Sequence, residues 1–563
     1  MEVTNPQAVD CELPEMVGPD AVSLSFEVSA GDGESPIFQR NFGRITADCD
    51  DWLVSAFKWF RWCDSHAACK VDGSFYPTRL IDLTDKSTPK LVSGSHAAGD
   101  NQSYVVLSYV WGSGQTYTLK TENQAQLCRG LDMTLVARTI KDAFEVTVRL
   151  GFHYIWVDAL CIIQDSPDDL ASELPQMANI YEYGALTIAA ASANSSDEGF
   201  LHYLEQKYWP FDPVEVHLST GGDRPISILL GNTEGSPITE PIMTRAWTVQ
   251  EFHLSRRKLI FGISGVEWEC IYSNFSFRAD NPNQRSSPSL LSVCSASETR
   301  HEEIYTLWEH MRLEYSSRGL TFAGDKLNAI GAVASKIAQA TGWTYVAGLW
   351  KEHLTKDLLW AYNRPDQLFQ VELDPDAYPF LKSAKARDAD RVAPSWSWAR
   401  VIDGPTWSAA AYGPVRTLGF EVLDCQVELG GAGPFGSVKC GILDVKGRLV
   451  ELGFRRVMRP FQRHQDPYIE LVTGATRCGP LEGEREASEV VAKGFPDPLD
   501  EPLLPTVRFS CLVIGEFPES QLNHARGLML LPDAAAGFQR VGYFEVRQPS
   551  IFEGVSETIM RIR

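Results

Sequence analysis

Tyr104-Val-Val-Leu-Ser-Tyr-Val-Trp-Gly112 is the stretch most informative about the fold, together with Tyr154-Ile-Trp-Val-Asp-Ala-Leu-Cys-Ile-Ile-Gln-Asp165 further along the chain. Each stretch begins as a short apolar run and then stops abruptly in polar or glycine residues. Such runs are typical of buried strands in a parallel sheet. Ligands in open α/β sheets bind beyond the carboxyl ends of the strands. The strand ends therefore predict a pocket lined by Ser108, Tyr109, Trp111, Asp158, Gln164 and Asp165.

Strand and helix patterns alternate from Tyr104 to about Cys270, which predicts an α/β fold with a mainly parallel sheet. The predicted strands are Tyr104–Val110, Tyr154–Asp158, Leu186–Ala191 and Lys258–Phe261. The predicted helices are Arg138–Leu150, Asp168–Tyr183 and Thr244–Leu254. Pro175 lies near the first turns of the second helix and is expected to shift its start. A loop-rich insertion is expected between Asn194 and Pro241.

The rest of the chain divides by pattern into further units. Residues 1–99 are predicted to be a leader around one helix, Asp50–Cys69, with a short strand over Pro77–Asp82. Residues 100–275 form the α/β domain, and 276–365 form a helical block. The proline- and charge-rich stretch 364–390 is a plausible boundary. Residues 391–563 alternate with period two and predict a β-rich domain that packs on the α/β domain through Trp396 and Trp398.

Composition excludes several classes of function. The chain has 51 lysine and arginine residues against 73 acidic ones, a formal net charge of −22. This balance argues against nucleic-acid binding and against adsorption to anionic membranes. No apolar run is long enough to span a bilayer, and the N-terminus lacks the features of a signal peptide. The 12 scattered cysteines are therefore expected to be reduced thiols in a cytoplasmic protein.

A series of motifs resembles the fungal heterokaryon-incompatibility family, the HET domain. The resemblance rests on Leu107–Gly112, Thr139–Ala143, Leu150-Gly151, Trp156–Asp165, Met177, Ile180-Tyr181, Ala189–Ala191, Gly199–Leu201 and Arg245–Glu251. Tyr345–Trp350 and Pro394–Trp398 also resemble longer proteins of this family. One departure is Leu170, where family members usually carry tryptophan. The resemblance implies a role in self/non-self recognition and in programmed cell death after incompatible fungal cells fuse.

HET domains in turn resemble TIR domains, some of which cleave NAD, and this step is an analogy of fold. It implies a TIR/flavodoxin-like sheet and makes Glu251 the catalytic carboxylate, because Trp247 and Glu251 repeat the spacing around the glutamate of TIR enzymes. A carboxylate stabilises the oxocarbenium-like state formed when the nicotinamide–ribose bond breaks. The alternative is structural: Glu251 caps its helix or pairs with Arg245 or Arg256.

For several of the predicted substrate-binding residues, a purely structural role is an alternative to ligand binding. Asp158 is suited to hold a ribose hydroxyl, or it caps the next segment or pairs with Arg138 or Arg245. Arg245 is suited to pair with pyrophosphate. Cys161 lies in an apolar run typical of a packed thiol, and Trp111 either stacks on a ring or packs in the core. The full predicted set is Ser108, Tyr109, Trp111, Gly112, Asp158, Cys161, Gln164, Asp165, Arg245 and Trp247.

Two further motifs do not predict sites. Cys63-Asp-Ser-His66-Ala-Ala-Cys69 has the spacing of a zinc corner but offers three ligands, and a fourth would have to come from elsewhere. No metal is therefore predicted. Gly431-Ala-Gly-Pro-Phe-Gly436 matches a dinucleotide fingerprint but lies between two β-runs, which predicts a hairpin loop. The chain has no P-loop and no G-x-S-x-G elbow.

Two functional hypotheses remain. One is a TIR-like NAD glycohydrolase that needs no cofactor besides NAD as its substrate, and that becomes active only on self-association through the HET domain. The other is a non-enzymatic signalling module that acts by self-association. The two differ in geometry, because an enzyme needs Glu251 beside Ser108 and Asp158 at a shared cleft. The sequence does not identify the recognition partner.

Overall fold

The chain is represented here by a computed structural model. Its description covers most of the chain, with gaps between the described ranges. These ranges are 24–29, 51–70, 75–112, 117–202, 214–218, 226–232, 240–263, 265–276, 279–284, 289–295, 300–362, 393–401, 406–408, 415–431, 433–456, 469–473, 490–497, 508–517, 524–533, 537–546 and 549–563. The predicted boundary at 364–390 and most of the leader before residue 50 lie outside them.

Four adjacent parallel strands form the centre of a nine-stranded sheet. Their order across the sheet is Arg257–Gly262, Leu186–Ala189, Tyr104–Ser108 and Tyr154–Trp156. Every residue of Tyr104–Ser108, Tyr154–Trp156 and Leu186–Ala189 is buried. Burial on both faces of the sheet explains why these strands are continuous apolar runs in the sequence. The prediction of a parallel α/β core in this region is confirmed.

Antiparallel strands flank this parallel core, so the whole sheet is mixed. Arg79–Asp82 pairs with Tyr154–Trp156 and is followed outward by Lys90–Ser93. On the other side lie Gly265–Cys270, Ser273–Ser276 and Ala279–Gln284. Residues before 100 therefore supply two strands of the sheet in addition to the helix Asp51–Cys63.

The helices of the α/β part are short. Those in the described ranges are Gly94–Gly99, Gln124–Leu127, Arg138–Arg149, Asp158–Cys161, Pro167–Glu173, Met177–Tyr183 and Thr248–Leu254. The predicted helix Asp168–Tyr183 is interrupted by the 3₁₀ turn Leu174–Gln176, which contains Pro175. A proline inside a helix lacks the N–H for one hydrogen bond and clashes with a preceding carbonyl. Pro175 therefore breaks the helix in the middle, whereas the sequence prediction shifted only its start.

The predicted insertion contains strands as well as loops. Val214–Leu218 and Ile226–Asn232 pair with each other, and the second of them pairs with Leu24–Ser29. The helical block contains Leu290–Cys294, His301–Ser316, Asn328–Thr341 and Leu354–Asp357. Short strand pairs join Tyr345–Val346 to Leu349–Trp350 and Trp360–Tyr362 to Thr406–Ser408.

A second, mainly antiparallel sheet forms the C-terminal part, as the period-two pattern predicts. Its strands are Arg416–Thr417, Glu421–Leu429, Val438–Arg456, Ile469–Val472, Val490–Pro496, Phe509–Phe517, His524–Asp533, Gly537–Val546 and Glu557–Ile562. The stretch 431–436 connects Glu421–Leu429 to its antiparallel partner Val438–Arg456, so the predicted hairpin loop is confirmed.

Trp396 and Trp398 are fully buried, but their polar contacts are with the helical block. The Trp398 indole donates to the Gly348 carbonyl at 2.7 Å, and its ring meets that of Tyr315 edge to face. The carbonyl of Trp396 accepts from the Trp360 indole at 2.9 Å. These two tryptophans therefore contact the helical block, and not the α/β domain as the sequence analysis predicts. Within the described ranges, no helix has the length and apolar character needed to cross a membrane.

Candidate functional site

Glu251 lies on the helix Thr248–Leu254 and points toward the carboxyl end of the central strand. Its side chain is 5% exposed, and its carboxylate accepts a hydrogen bond from the hydroxyl of Ser108, the last residue of the strand Tyr104–Ser108. The Tyr181 hydroxyl also hydrogen-bonds with this carboxylate and lies 3.3 Å from the Leu107 carbonyl. Glu251 is therefore held against the edge of the sheet and does not face bulk solvent.

The surroundings of Glu251 favour its protonated form more than water does. Burial raises its pKa from 4.5 to about 7. The positive charge of Arg245 and the Ser108 hydrogen bond oppose this rise, and the negative charge of Asp158 adds to it. A carboxyl group with a pKa near 7 gains or loses its proton at neutral pH. Acid–base and charge-stabilising groups of active sites often have pKa values in this range.

Asp158 lies at the end of the neighbouring strand and is the second carboxylate of the site. Its Oδ2 accepts from the Trp111 indole at 2.7 Å, and its Oδ1 accepts from the backbone N–H of Ala159 at the same distance. The side chain is partly exposed, and desolvation by the surrounding protein raises its pKa while the charge of Arg245 lowers it. The buried Tyr109 lies beside it and has a raised pKa, because of burial and the Asp158 charge.

Arg245 lies close enough to both carboxylates for its charge to act on each of them. One guanidinium nitrogen donates to the carbonyl of Tyr109, and its charge acts on both Glu251 and Asp158. The side chain is partly exposed, so it can reach a ligand. The structure thus brings together Ser108, Tyr109, Trp111, Asp158, Arg245 and Glu251. Of the two partners that the structural alternative proposes for Glu251, Arg245 acts on it through its charge, whereas Arg256 is held elsewhere by the Ala68 carbonyl and by Glu182.

Other predicted residues support the loops around this cluster. The amide of Gln164 donates to the carbonyls of Asp158 and Ile162, both at 3.1 Å. Asp165 is exposed and accepts from the backbone and hydroxyl of Thr121, and the backbone hydrogen bond lowers its pKa. Cys161 is fully buried, and burial raises the pKa of its thiol to about 12.

Gly112 and Trp247 also have structural contacts. Gly112 has a φ of +65°, and a Cβ there would lie 2.6 Å from the Cβ of Ser195. Only glycine fits this turn without strain. Trp247 hydrogen-bonds with Asp325 of the helical block. It is partly buried against the core.

Two residues of the site were not predicted from the sequence. Tyr181 belongs to the Ile180-Tyr181 motif of the resemblance, but nothing in that motif indicates a function for its side chain. Arg318 comes from the helical block, donates to the Thr248 hydroxyl at 2.6 Å and lies close enough to Glu251 for their charges to interact. Its Glu314 partner also contacts His253 at 3.2 Å. No local sequence signal marks Arg318, because only the tertiary fold brings it to Glu251.

The cluster combines features that suit a sugar–phosphate ligand carrying positive charge near its reacting carbon. Two carboxylates can stabilise a developing cation, and Arg245 can pair with an anionic phosphate. Trp111 presents a partly exposed ring at the same edge. The positions at carboxyl ends of parallel strands are those where α/β folds bind ligands.

Residues 104–251 match the model of the family described as "Heterokaryon incompatibility protein (HET)". This range contains every residue of the cluster described above except Arg318. The curated proteins contain no match to the chain, and neither do the solved structures.

Proposed function

We propose that this chain, whose residues 104–251 form a HET domain, acts in fungal self/non-self recognition and programmed cell death by cleaving NAD. The HET match supports the incompatibility role. The proposal of NAD cleavage adds the analogy between HET and TIR domains. Its main structural support is the buried contact of Glu251 with Ser108, beside Arg245 and Asp158.

In the proposed reaction, the bond between the ribose anomeric carbon and the nicotinamide nitrogen breaks, and its electron pair leaves with nicotinamide. Because nicotinamide departs as a neutral ring, the leaving group needs no proton. Ionised Glu251 stabilises the positive charge that develops on the ribose. Water then adds to the anomeric carbon and loses a proton, which gives ADP-ribose.

The neighbouring residues have separate roles in this scheme. Ser108 holds the Glu251 carboxylate in place. Asp158 accepts a hydrogen bond from a ribose hydroxyl, and Arg245 pairs with the pyrophosphate. Trp111, fixed by its indole bond to Asp158, provides a ring face for stacking. We further propose that turnover requires self-association, because an unrestrained NADase would kill its own cell.

The test is NAD hydrolysis by the purified full chain, fused to an inducible dimerising domain and assayed with and without the inducer. The expected result is release of nicotinamide and ADP-ribose by the clustered wild type and its loss in Glu251→Gln. Glu309→Gln is the matched control, because Glu309 is equally buried but pairs with Arg312 in the helical block. Clustered wild type that signals in cells but consumes no NAD would instead favour the non-enzymatic module.

A further inference from the structure

Four side chains of metal-ligand type converge next to the antiparallel flank of the large sheet. Cys63 ends the helix Asp51–Cys63, His66 lies in the following turn, and Cys69 ends the 3₁₀ turn Ala67–Cys69. Cys270 ends the strand Gly265–Cys270. Their ligand atoms all lie within 4.8 Å of one another. The fourth ligand that the sequence motif lacked is therefore supplied by a distant strand.

The spacing of these atoms matches a tetrahedral zinc site. The Nδ1 of His66 lies 3.8 Å from the sulfurs of both Cys69 and Cys270. With Zn–S bonds of about 2.3 Å and Zn–N bonds of about 2.0 Å, a tetrahedron separates sulfur from nitrogen by roughly 3.5 Å. Closing this small difference requires only slight side-chain movement.

The backbone around the ligands is fixed independently of any ion. The backbone N–H of His66 donates a hydrogen bond to the Cys63 carbonyl at 3.0 Å. The backbone N–H of Cys69 donates to the His66 carbonyl at 3.2 Å. The backbone N–H of Ile271 hydrogen-bonds with the Cys69 side chain. Hydrogen bonds of this kind orient thiolate ligands in metal sites.

Two arginines hold the turn against the rest of the domain. Arg257 pairs with Asp64 at 2.7 Å, and Arg256 donates to the Ala68 carbonyl at 2.5 Å while pairing with Glu182.

We propose that Cys63, His66, Cys69 and Cys270 bind one structural zinc ion. Four protein ligands leave no open coordination position, so the site stabilises the fold and takes no part in catalysis. It joins the helix before residue 104 to the strand after residue 251, so it lies outside the range that matches the HET family. The site is therefore separate from the residues of the proposed NAD chemistry.

A disulfide is the competing use of these cysteines. It would join two of the three sulfurs, leave one thiol over and give the His66 nitrogen no role. The three cysteines are also fully buried, whereas His66 is partly exposed and contacts the rings of Trp62 and Tyr272. A histidine nitrogen directed at two sulfurs favours the metal.

The test is the zinc content of the full chain, purified under reducing conditions and measured by elemental analysis. We expect about one zinc per chain in the wild type, a loss of at least tenfold in Cys270→Ala, and retention in His66→Cys, which offers four thiolates. Cys511→Ala is the matched control, because Cys511 is equally buried but lies in the C-terminal sheet. Retention of zinc in Cys270→Ala would overturn the assignment.

A second measurement decides the question if Cys270→Ala does not fold. Wild type reconstituted with cobalt should show the visible absorption and thiolate-to-cobalt charge transfer of a tetrahedral thiolate site. Wild type that binds neither zinc nor cobalt when offered under reducing conditions, or that contains a disulfide between two of these cysteines, would refute the proposal.

Discussion

At the residue scale, the protonation of Glu251 links the stability of the fold to its proposed chemistry. The carboxyl group is buried, and its pKa is raised from 4.5 to about 7. Its environment therefore opposes the charge that the proposed reaction needs. Such opposition is common at functional sites, where stability is sacrificed for reactivity.

The first prediction concerns stability. The pKa of Glu251 is higher in the folded than in the unfolded protein. Its contribution to the stability of the fold is therefore fully present below pH 4.5 and is lost as the pH rises through about 7. The free energy of unfolding of wild type should therefore fall relative to that of Glu251→Gln by about 3 kcal/mol between acidic pH and pH 8. Urea unfolding followed by tryptophan fluorescence measures this difference. A difference that stays constant with pH would show that Glu251 has no raised pKa.

The second prediction concerns activity. Only ionised Glu251 stabilises the developing cation, so NAD turnover by clustered protein should rise with pH through a pKa of about 7. Titration of one group with this pKa gives about a tenfold increase in kcat/KM from pH 6 to pH 8. The pH profile of nicotinamide release checks it. A flat profile over this range would show that turnover does not depend on the ionisation of Glu251.

At the scale of the elements, the turn after the strand Tyr104–Ser108 depends on Gly112. Gly112→Ala should cost about 1–3 kcal/mol, because alanine is strained at a φ of +65° and its Cβ would press on Ser195. Thermal unfolding measures the loss. Gly99→Ala is the control, since no neighbouring atom lies within 4 Å of the Cβ it would add, and it should be nearly neutral.

The parallel core could be predicted from sequence because its buried strands are continuous apolar runs that end in polar residues. Tyr104–Ser108 and Leu186–Ala189 are buried at every position, so their patterns are unambiguous. Ser273–Ser276 was missed because its sequence does not alternate. Val214–Leu218 does alternate, but it is only five residues long and was assigned to the loop-rich insertion. The break at Pro175 was misplaced because the residues around it have the periodicity of one helix.

The site could be predicted only where its residues lie in local motifs. Ser108, Asp158 and Arg245 each follow or flank an apolar run. Arg318 and Cys270 have no such signal, because the contacts that give them a role come from segments far away in sequence. Tertiary packing, which local periodicity does not encode, brings each one to its partners.

At the scale of the whole molecule, Arg540 connects the C-terminal sheet to the helical block. It is fully buried, lies over the Trp360 ring at 3.4 Å, donates to the Leu358 carbonyl at 2.8 Å and pairs with Asp497 at 3.1 Å. Burial lowers its pKa to about 10, so it stays charged at neutral pH. The C-terminal part is thus joined to the α/β domain through this block.

Arg540→Met should therefore cost about 3–5 kcal/mol, because it removes the cation that is hydrogen-bonded to the buried carboxylate of Asp497 and leaves only the charge of Arg400 acting on it. The midpoint of urea unfolding checks this value. Arg561→Met removes an exposed arginine from its pair with Asp444 and should cost much less, because solvent screens an exposed ion pair. Equal losses of unfolding free energy in the two variants would mean that the buried Arg540–Asp497 pair stabilises the fold no more than the exposed pair does.

The role of Glu251 is tested by the ratio of NAD turnover by clustered Glu251→Gln to that by clustered wild type, measured at pH 8 with equal folded fractions. The amide keeps the shape of Glu251 and an acceptor for Ser108 while removing the charge. Loss of one charge-stabilising group predicts a turnover at least about a hundredfold lower than that of wild type. Equal release of nicotinamide by the two proteins would contradict the assignment of Glu251 as the catalytic carboxylate.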